Sequence, residues 1–209
     1  MKVLVIGAGN MGSAFVKQLH TAGHQVSVTA RDSAKASALA EQYKGVRAVP
    51  ADNAANDAEA IVVATSAADA ATALKTVGSL GKVVIDISNP LTADYMGLTL
   101  GHSTSASEEL AKAAPGAEVV KAFNTVFAQV LAGGADFGNG RKVSVFVASD
   151  SAHAKQTAIT LAASMGFETI DAGGLKNARY LEPLGGLNVY FGYGAGLGTA
   201  IAPTWIHKA

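Results

Sequence analysis

The sequence contains no cysteine. This excludes disulfides, thiolate metal sites, iron–sulfur clusters and thiol nucleophiles. An excess of either charge is also missing, because 16 basic residues balance 16 acidic ones in a chain of 209 residues. We therefore expect no nucleic-acid partner and no attachment to an anionic membrane surface. Aromatic residues make up only 6%, and Trp205 is the single tryptophan, which is a composition typical of small-residue helices packed closely over a sheet.

Long hydrophobic segments are scarce as well. The first predicted strand begins within two residues of Met1 and leaves no room for a signal peptide, so we expect a cytoplasmic protein. The segment from Pro183 to Ile206 has no charged residue, but its many glycines and its polar side chains argue against a membrane span. We expect instead two short buried helices, broken near Gly192–Gly196. Their uncharged, small-residue faces are a candidate homodimer interface.

An apolar strand near the N-terminus leads directly into a G-x-G-x-x-G loop, and an amphipathic helix follows. In this context the loop predicts dinucleotide binding. Gly7 makes the turn, Gly9 lets the backbone approach a pyrophosphate, and Gly12 lets helix and strand pack tightly. Free N–H groups at the start of the helix then meet the phosphates. The cofactor-binding residues predicted here are Gly7, Gly9, Asn10, Met11 and Gly12.

Strand and helix patterns alternate along the rest of the chain, with a break predicted at Asn139–Gly140. This alternation predicts an α/β protein with a Rossmann-type, doubly wound, mostly parallel sheet and a short glycine-rich helical C-terminal tail. We expect residues 1–172 to form the NADP-binding domain, and residues 173–209 to form a tail that packs on the same domain or on a dimer partner. After the first strand, further strands are predicted at residues 24–30, 46–49, 60–64, 82–87, 118–122, 142–148 and 167–171.

The end of the second predicted strand indicates which dinucleotide binds. Proteins that use NAD place an Asp or Glu there, about 20 residues after the glycine loop, to hold the ribose 2′-OH. That position is Ala30 here, and Arg31 follows it, with Ser33 and Lys35 one turn later. A carboxylate would repel a 2′-phosphate, whereas an arginine can bind it through two hydrogen bonds. We therefore predict NADP(H). A shift of register would make Asp32 the ribose acid instead, but helix capping explains this residue better.

Three further strand ends carry the other site candidates, since ligands of open α/β sheets bind beyond the carboxyl ends of the strands. These ends supply hydroxyls, amides and one aromatic ring, but no carboxylate pair, thiol or histidine cluster. We predict no metal site and no catalytic side chain, because hydride transfer between two rings held face to face needs alignment more than a proton donor. The predicted residues are Ala64, Thr65, Ser66, Asn89, Pro90, Phe123, Asn124 and Thr125.

The remaining ionisable and aromatic residues are interpreted as mainly structural. Asp86 and Lys121 lie in predicted strands, where each is expected to be a hydrogen-bond or salt-bridge partner. A group of tyrosines and one phenylalanine near the C-terminus either packs in the core or forms a platform beside the nicotinamide: Tyr180, Tyr190, Phe191 and Tyr193. Surface positions explain the five histidines better than catalysis does: His20, His24, His102, His153 and His207.

Five segments carry a family resemblance: Ile6–Gly12, Ala30–Lys35, Asp86–Leu91, Val120–Thr125 and Asp171–Arg179. Together they resemble the NADPH-dependent coenzyme F420 reductase family, which includes the cytosolic domain of STEAP metalloreductases. The resemblance covers nearly the whole chain. It implies hydride transfer between NADPH and a deazaflavin (coenzyme F420) or flavin acceptor. It also implies that the glycine loop binds NADP together with Arg31, Ser33 and Lys35, and that the loops at Thr65, Asn89 and Asn124 frame the nicotinamide and the second ring.

One position departs from this resemblance. Archaeal deazaflavin reductases carry a histidine where this chain has Asn124, so FMN or FAD competes with coenzyme F420 as the acceptor. Two other functions stay open: an imine or carbonyl reductase of the pyrroline-carboxylate type, and a non-catalytic NADP(H)-binding sensor. Against the reductase, the tail lacks the long helical domain that would build a substrate pocket.

Overall fold

The structure is a computed structural model that describes residues 1–138 and 140–205. The break predicted at Asn139 and the interpretations of Ile206 and His207 fall outside these residues. Helices and strands alternate along the chain, as the sequence predicts. In chain order they are β1 (Lys2–Ile6), α1 (Asn10–Thr21), β2 (Gln25–Thr29), α2 (Ser33–Ala40), β3 (Arg47–Ala48), β4 (Ala60–Val63), α3 (Ala67–Val77), β5 (Val83–Asp86), α4 (Ala106–Ala113), β6 (Glu118–Lys121), α5 (Ala128–Gly133), β7 (Ser144–Val147), α6 (Ala152–Ser164), β8 (Glu168–Asp171) and α7 (Ala178–Val189).

Six parallel strands form the main sheet, in the order β3-β2-β1-β4-β5-β6. From β1 the chain adds β2 and β3 on one side of the sheet, and it then crosses back to add β4, β5 and β6 on the other side. The strand order therefore reverses between β1 and β4, and the carboxyl ends of these strands border a crevice where ligands of such sheets bind. The predicted Rossmann-type, doubly wound α/β fold is confirmed.

The strands β7 and β8 form a second, two-stranded parallel sheet. It joins the main sheet where the amides of Lys121 and Ala148 donate to each other's carbonyl oxygens, at 2.9 and 3.0 Å. The bridge is antiparallel, and all pairings between named strands are parallel. The sheet system is thus mostly parallel, as predicted.

The central strands are buried on both faces, because helices cover each side of the main sheet. Residues of β4 are all fully buried, and those of β1 from Val3 to Ile6 are at most 4% exposed. One face packs on Phe15 and Leu19 of α1, and the other packs on Leu74 of α3. Continuous apolar runs such as these are expected for parallel strands covered on both sides.

The C-terminal tail differs from its prediction. A single helix, α7, begins at Ala178, upstream of Pro183, and continues into a π-helical turn at Tyr190–Gly194. No second helix follows in residues 195–205, so the predicted pair of helices was wrong. The chain instead folds back, since the amide of Gly198 donates to Gly192 O at 3.0 Å. No helix in the described part of the chain is long and apolar enough to cross a bilayer.

Candidate functional site

The glycine loop joins β1 to α1, and each of its glycines has a different steric role. Gly7 has a φ angle of 113°, which favours glycine, and its amide donates to Thr29 O at 2.7 Å. A Cβ on Gly7 would lie 2.4 Å from the carbonyl oxygen of Ala64, and one on Gly12 would lie 1.9 Å from that of Gly7. No atom lies within 4 Å of a Cβ placed on Gly9, so the backbone there is open to a ligand.

The first turn of α1 begins beside this opening. Gly9 is the N-cap of α1, and no side chain caps the helix there. Free amides and the positive end of the helix dipole favour an anion at this place. Gly9 lines one cavity, whereas Asn10 and Met11 line another. The loop therefore lies between two cavities.

The first cavity has a volume of about 400 Å³ and lies over the carboxyl ends of β1, β2 and β4. Thr72, Ala73 and Thr76 of α3 close one side of it. Ser33, the first residue of α2, is not among the residues that line it. The predicted site residues that do line it are Gly7, Gly9, Arg31, Lys35, Ala64, Thr65 and Ser66.

Charged side chains stand at the rim of the first cavity. The Arg31 guanidinium is 90% exposed and lies 3.6 Å from the Asp69 carboxylate, and an exposed pair of this kind contributes little stability. Arg31 is therefore available to a ligand. Asp32 Oδ1 accepts from the amides of Ala34 and Lys35 at 3.1 and 3.3 Å. The predicted capping role of Asp32 is confirmed.

The second cavity has a volume of about 670 Å³ and lies where the segments after β5 and β6 face α7. Five predicted residues line it: Asn10, Met11, Asn89, Asn124 and Thr125. Pro90 is not among its lining residues. The described histidines line neither of these two cavities.

Phe123 lies at the end of β6 but its ring does not reach the second cavity. The side chain is fully buried and packs edge-on against Phe15 and Phe167, at centroid distances of 5.0 and 5.9 Å. Its φ angle of 59° is unusual for a residue other than glycine. The strained backbone turns the chain so that the ring enters the core while Asn124 faces the site. The predicted aromatic ring at this strand end is therefore a core residue.

Two asparagines bind each other beneath the second cavity. Asn89 Nδ2 donates to Asn124 O at 2.7 Å, and Asn124 Nδ2 donates to Asn89 Oδ1 at 2.8 Å and to Leu181 O at 2.7 Å. Asn124 Oδ1 is buried and has no protein partner. A Cβ on Gly185 would lie 2.6 Å from Asn89 Oδ1, so only glycine lets α7 pack against this pair.

A buried ionic cluster, Asp86, Lys121 and Glu182, lies behind the asparagine pair. Lys121 Nζ is 2.8 Å from Asp86 Oδ2 and 3.0 Å from Glu182 Oε1, and all three side chains are at most 1% exposed. The predicted structural roles of Asp86 and Lys121 are confirmed. Burial acts to raise the pKa of Asp86, but the charge of Lys121, with hydrogen bonds from Lys121, Ser107 and Ser88, holds that pKa below its usual value.

Sequence reasoning missed Glu182, and it missed Asp94 and Tyr95 in the lining of the second cavity. Asp94, Tyr95 and Tyr193 line this cavity. A hydrogen bond from Thr92 and one from a backbone amide lower the pKa of Asp94. Glu182 had a usable signal, since it is a lone acid among apolar residues. Asp94 had none, because its loop has no periodic pattern.

The aromatic residues near the C-terminus are surface residues. Tyr180, Tyr190, Phe191 and Tyr193 are all at least 40% exposed, so packing in the core does not explain them. Tyr193 alone of these four lines the second cavity. In the described ranges, no group of three or more His, Asp or Glu side chains is placed to hold a metal ion.

The strand order, the glycine loop and the crevice above it define a Rossmann-type protein of the dinucleotide-binding class. Residues 2–90 match the family described as NADP oxidoreductase, coenzyme F420-dependent. The F420-dependent NADP reductase of Methanothermobacter marburgensis is 30% identical over 202 residues, which cover 88% of this chain and 89% of that protein. The chain belongs to the coenzyme F420-dependent NADP oxidoreductase family.

Three further comparisons give the range of relatives. Metalloreductase STEAP3 of Rattus norvegicus is 30% identical over 88% of this chain, but the chain spans only 36% of the length of that protein. A crystal structure from Arthrobacter sp. FB24, provisionally identified as an F420-dependent NADP reductase, has a TM-score of 0.83, 31% identity and 96% coverage of both chains. An imine reductase from Aspergillus terreus, with a TM-score of 0.67, 19% identity and coverage of 93% of this chain and 63% of its own, shares the fold alone.

Proposed function

We propose that the protein is an NADP(H)-dependent oxidoreductase that transfers a hydride between NADPH and a deazaflavin or flavin acceptor. The position of the glycine loop between two cavities, of about 400 and 670 Å³, carries this proposal. The first cavity has Arg31 and Lys35 at its rim, beside Asp32 and Asp69, and suits the adenosine half of a dinucleotide. The second is lined by amides and aromatic rings and suits a nicotinamide beside another flat ring. Membership of the family supports the same reaction.

The residues of the first cavity fit NADP(H) in three respects. The open backbone at Gly9 and the free first turn of α1 suit a pyrophosphate. Arg31 and Lys35 line the cavity and offer positive charge to a 2′-phosphate. Ala30, which also lines it, presents no carboxylate where an NAD-binding protein would hold the ribose 2′-OH.

The residues of the second cavity would orient the reacting rings. Asn124 lines the cavity and carries a buried oxygen with no protein partner, which suits an N–H group of the nicotinamide carboxamide or of the acceptor ring. Asn89 fixes the position of Asn124, and Thr125 stands beside it. When bound, NADPH supplies the hydride. The protein's part is then to align the two rings and to exclude water.

The share of each relative's length that this chain matches indicates which acceptor to test first. The methanogen F420-dependent NADP reductase is matched over 89% of its length, whereas rat STEAP3 is matched over 36%. We therefore place coenzyme F420 before FMN and FAD. All three have a flat ring that can accept a hydride without a proton donor in direct contact.

One observation favours an imine reductase as the second candidate. Asp94 lines the second cavity, and its lowered pKa keeps it ionised near neutral pH. An anionic carboxylate suits a cationic iminium substrate, and Tyr193, which carries a hydroxyl, lines the same cavity. The variant Asp94→Asn separates the two functions. It should lower imine reduction much more than it lowers reduction of a deazaflavin or flavin.

The deciding experiment is a set of oxidation assays followed by nicotinamide absorbance. The purified protein is mixed with NADPH or NADH, and then with coenzyme F420, FMN, FAD, riboflavin or a cyclic imine. Oxidation of NADPH that depends on a deazaflavin or flavin supports the proposal. Oxidation with the imine alone supports the second candidate. Binding of NADPH without oxidation by any acceptor supports a sensor, and absence of NADPH binding overturns all three.

We further propose a homodimer formed through the outer surface of α7 and the turn after it. Leu187, Tyr190, Phe191 and Leu197 are exposed there, and exposed large apolar side chains are frequent at subunit interfaces. Light scattering at several protein concentrations tests the proposal. A monomer at all concentrations would contradict it.

A further inference from the structure

The buried cluster of Asp86, Lys121 and Glu182 has more negative than positive groups. Lys121 Nζ contacts both carboxylates and also donates to Ser88 O at 2.7 Å. Two carboxylates therefore share one ammonium group. When all three side chains are ionised, the cluster carries a net charge of −1 in a part of the molecule that water does not reach.

Both carboxylates accept hydrogen bonds from donors other than Lys121. Glu182 accepts from the amides of Ala106 and Ser107 at 2.9 and 3.2 Å. Asp86 accepts from the amide of Ser88 at 2.9 Å and from the hydroxyl of Ser107 at 2.6 Å. Several donors around one carboxylate stabilise its charge. The N-terminus of α4 adds a partial positive charge of about one half, which reduces the net charge of the cluster without cancelling it.

The cluster is linked directly to the lining of the second cavity. Ser88 precedes Asn89 in the chain, and Glu182 lies almost one helical turn before Gly185, which also lines the cavity. Asn124 donates to the carbonyl oxygen of Leu181, the neighbour of Glu182. The described lining of this cavity contains one charged side chain, the anionic Asp94, and no Lys, Arg or His. The charges of the cluster and of Asp94 therefore both act to make the electrostatic potential in the cavity more negative.

We propose that this anionic cluster makes the second cavity favour the oxidised nicotinamide over the reduced one. The inference rests on the proposed function, in which NADP(H) binds with its nicotinamide in this cavity. The reduced ring is neutral, and the oxidised ring carries one positive charge after its hydride, with two electrons, has passed to the acceptor. A buried negative charge attracts the oxidised ring more strongly than it would in water. The cluster thereby promotes hydride donation from NADPH without touching either ring.

Two variants each remove one negative charge with little change of shape: Glu182→Gln and Asp86→Asn. For each, the dissociation constants of NADP⁺ and NADPH are measured by fluorescence or calorimetric titration. We expect the ratio of the NADP⁺ constant to the NADPH constant to rise about threefold to tenfold over that of the wild type. Glu109→Gln is the matched control, because Glu109 is a solvent-exposed acid on α4. Its ratio should equal that of the wild type.

The outcomes separate this inference from the proposed function. Circular dichroism first shows which variants are folded, and either charge-removing variant is sufficient for the test. An unchanged ratio in a folded variant, even with weaker binding of both forms, would mean that the cluster is only structural and would overturn the inference. If the wild-type protein binds neither NADP⁺ nor NADPH, the proposed function itself fails.

Discussion

A Cβ atom on Gly12 would lie 1.9 Å from the carbonyl oxygen of Gly7. The first turn of α1 is thus packed on the loop that precedes it, with no space for even a methyl group. The contact holds the helix start at the edge of the opening above Gly9. The packing of the loop therefore fixes where the free amides of the helix start lie.

Gly12→Ala should destabilise the protein and weaken NADPH binding, because the backbone must shift to relieve the contact. Overpacking of this kind costs about 1–3 kcal/mol, which urea denaturation will measure. Gly9→Ala is the matched control. Since nothing surrounds a Cβ there, it should retain wild-type stability and lose only affinity for NADPH. A Gly12→Ala protein as stable as the wild type would contradict the packing argument.

Arg31→Ala should weaken NADPH binding about tenfold to a hundredfold, since a charge-assisted contact with the 2′-phosphate is lost. Binding of NADH should hardly change, because NADH lacks that phosphate. Titration of both cofactors measures the effect. Arg47→Ala removes an exposed arginine from β3 and should leave both affinities as they are. Equal losses for the two cofactors in Arg31→Ala would argue against 2′-phosphate recognition.

Asn89 and Asn124 should act as one unit in cofactor binding, because the Asn89 side chain donates to the backbone carbonyl of Asn124 and accepts from the side-chain amide of Asn124. Each single change to alanine should weaken NADPH binding, and the double change should add little to either one. In a double-mutant cycle, interacting residues typically show coupling energies of about 0.5–3 kcal/mol. The wild type, the two single variants and the double variant are compared by NADPH titration. Strict additivity would show that the pair does not act together.

Asp86 should make stability depend on pH in the acid range. Its pKa is lower in the folded protein than the usual value, so its stabilising effect is complete above about pH 4, the ordinary aspartate range. The effect is lost as the pH falls further, through the lower folded-state pKa. Urea denaturation of the wild type and of Asp86→Asn is measured at about pH 7, 5, 4 and 3, which span the ordinary pKa of aspartate. The difference between the two proteins in free energy of unfolding should shrink below about pH 4. A constant difference would contradict the pKa shift.

Much of the glycine loop and of the first cavity could be predicted from the sequence. The glycine loop, the strand before it and the helix after it are neighbours in the chain, so their geometry follows from local patterns. The capping role of Asp32 also depends only on residues two and three positions ahead. These predictions concern contacts between close neighbours, where spacing is sufficient information.

Less of the second cavity could be predicted. Its lining comes from segments far apart in the chain, and Asn124 meets Leu181 across a separation of 57 residues. Phe123 was expected at the site because it stands at a strand end, but its positive φ angle turns the ring into the core. The sequence also predicted a second helix beyond the break near Gly192–Gly196, but none follows α7 and its π-helical turn in residues 195–205.

The α/β class, the parallel sheet and the glycine loop can be predicted from local patterns, because periodicity and glycine spacing act over short stretches of chain. The lining of the second cavity and the residues that support it depend on long-range packing. Glu182 joins Asp86 and Lys121 from a distant helix, and Gly185 lets that helix approach the two asparagines. Such contacts depend on how helices pack on the strand ends, and that packing is a property of the whole fold.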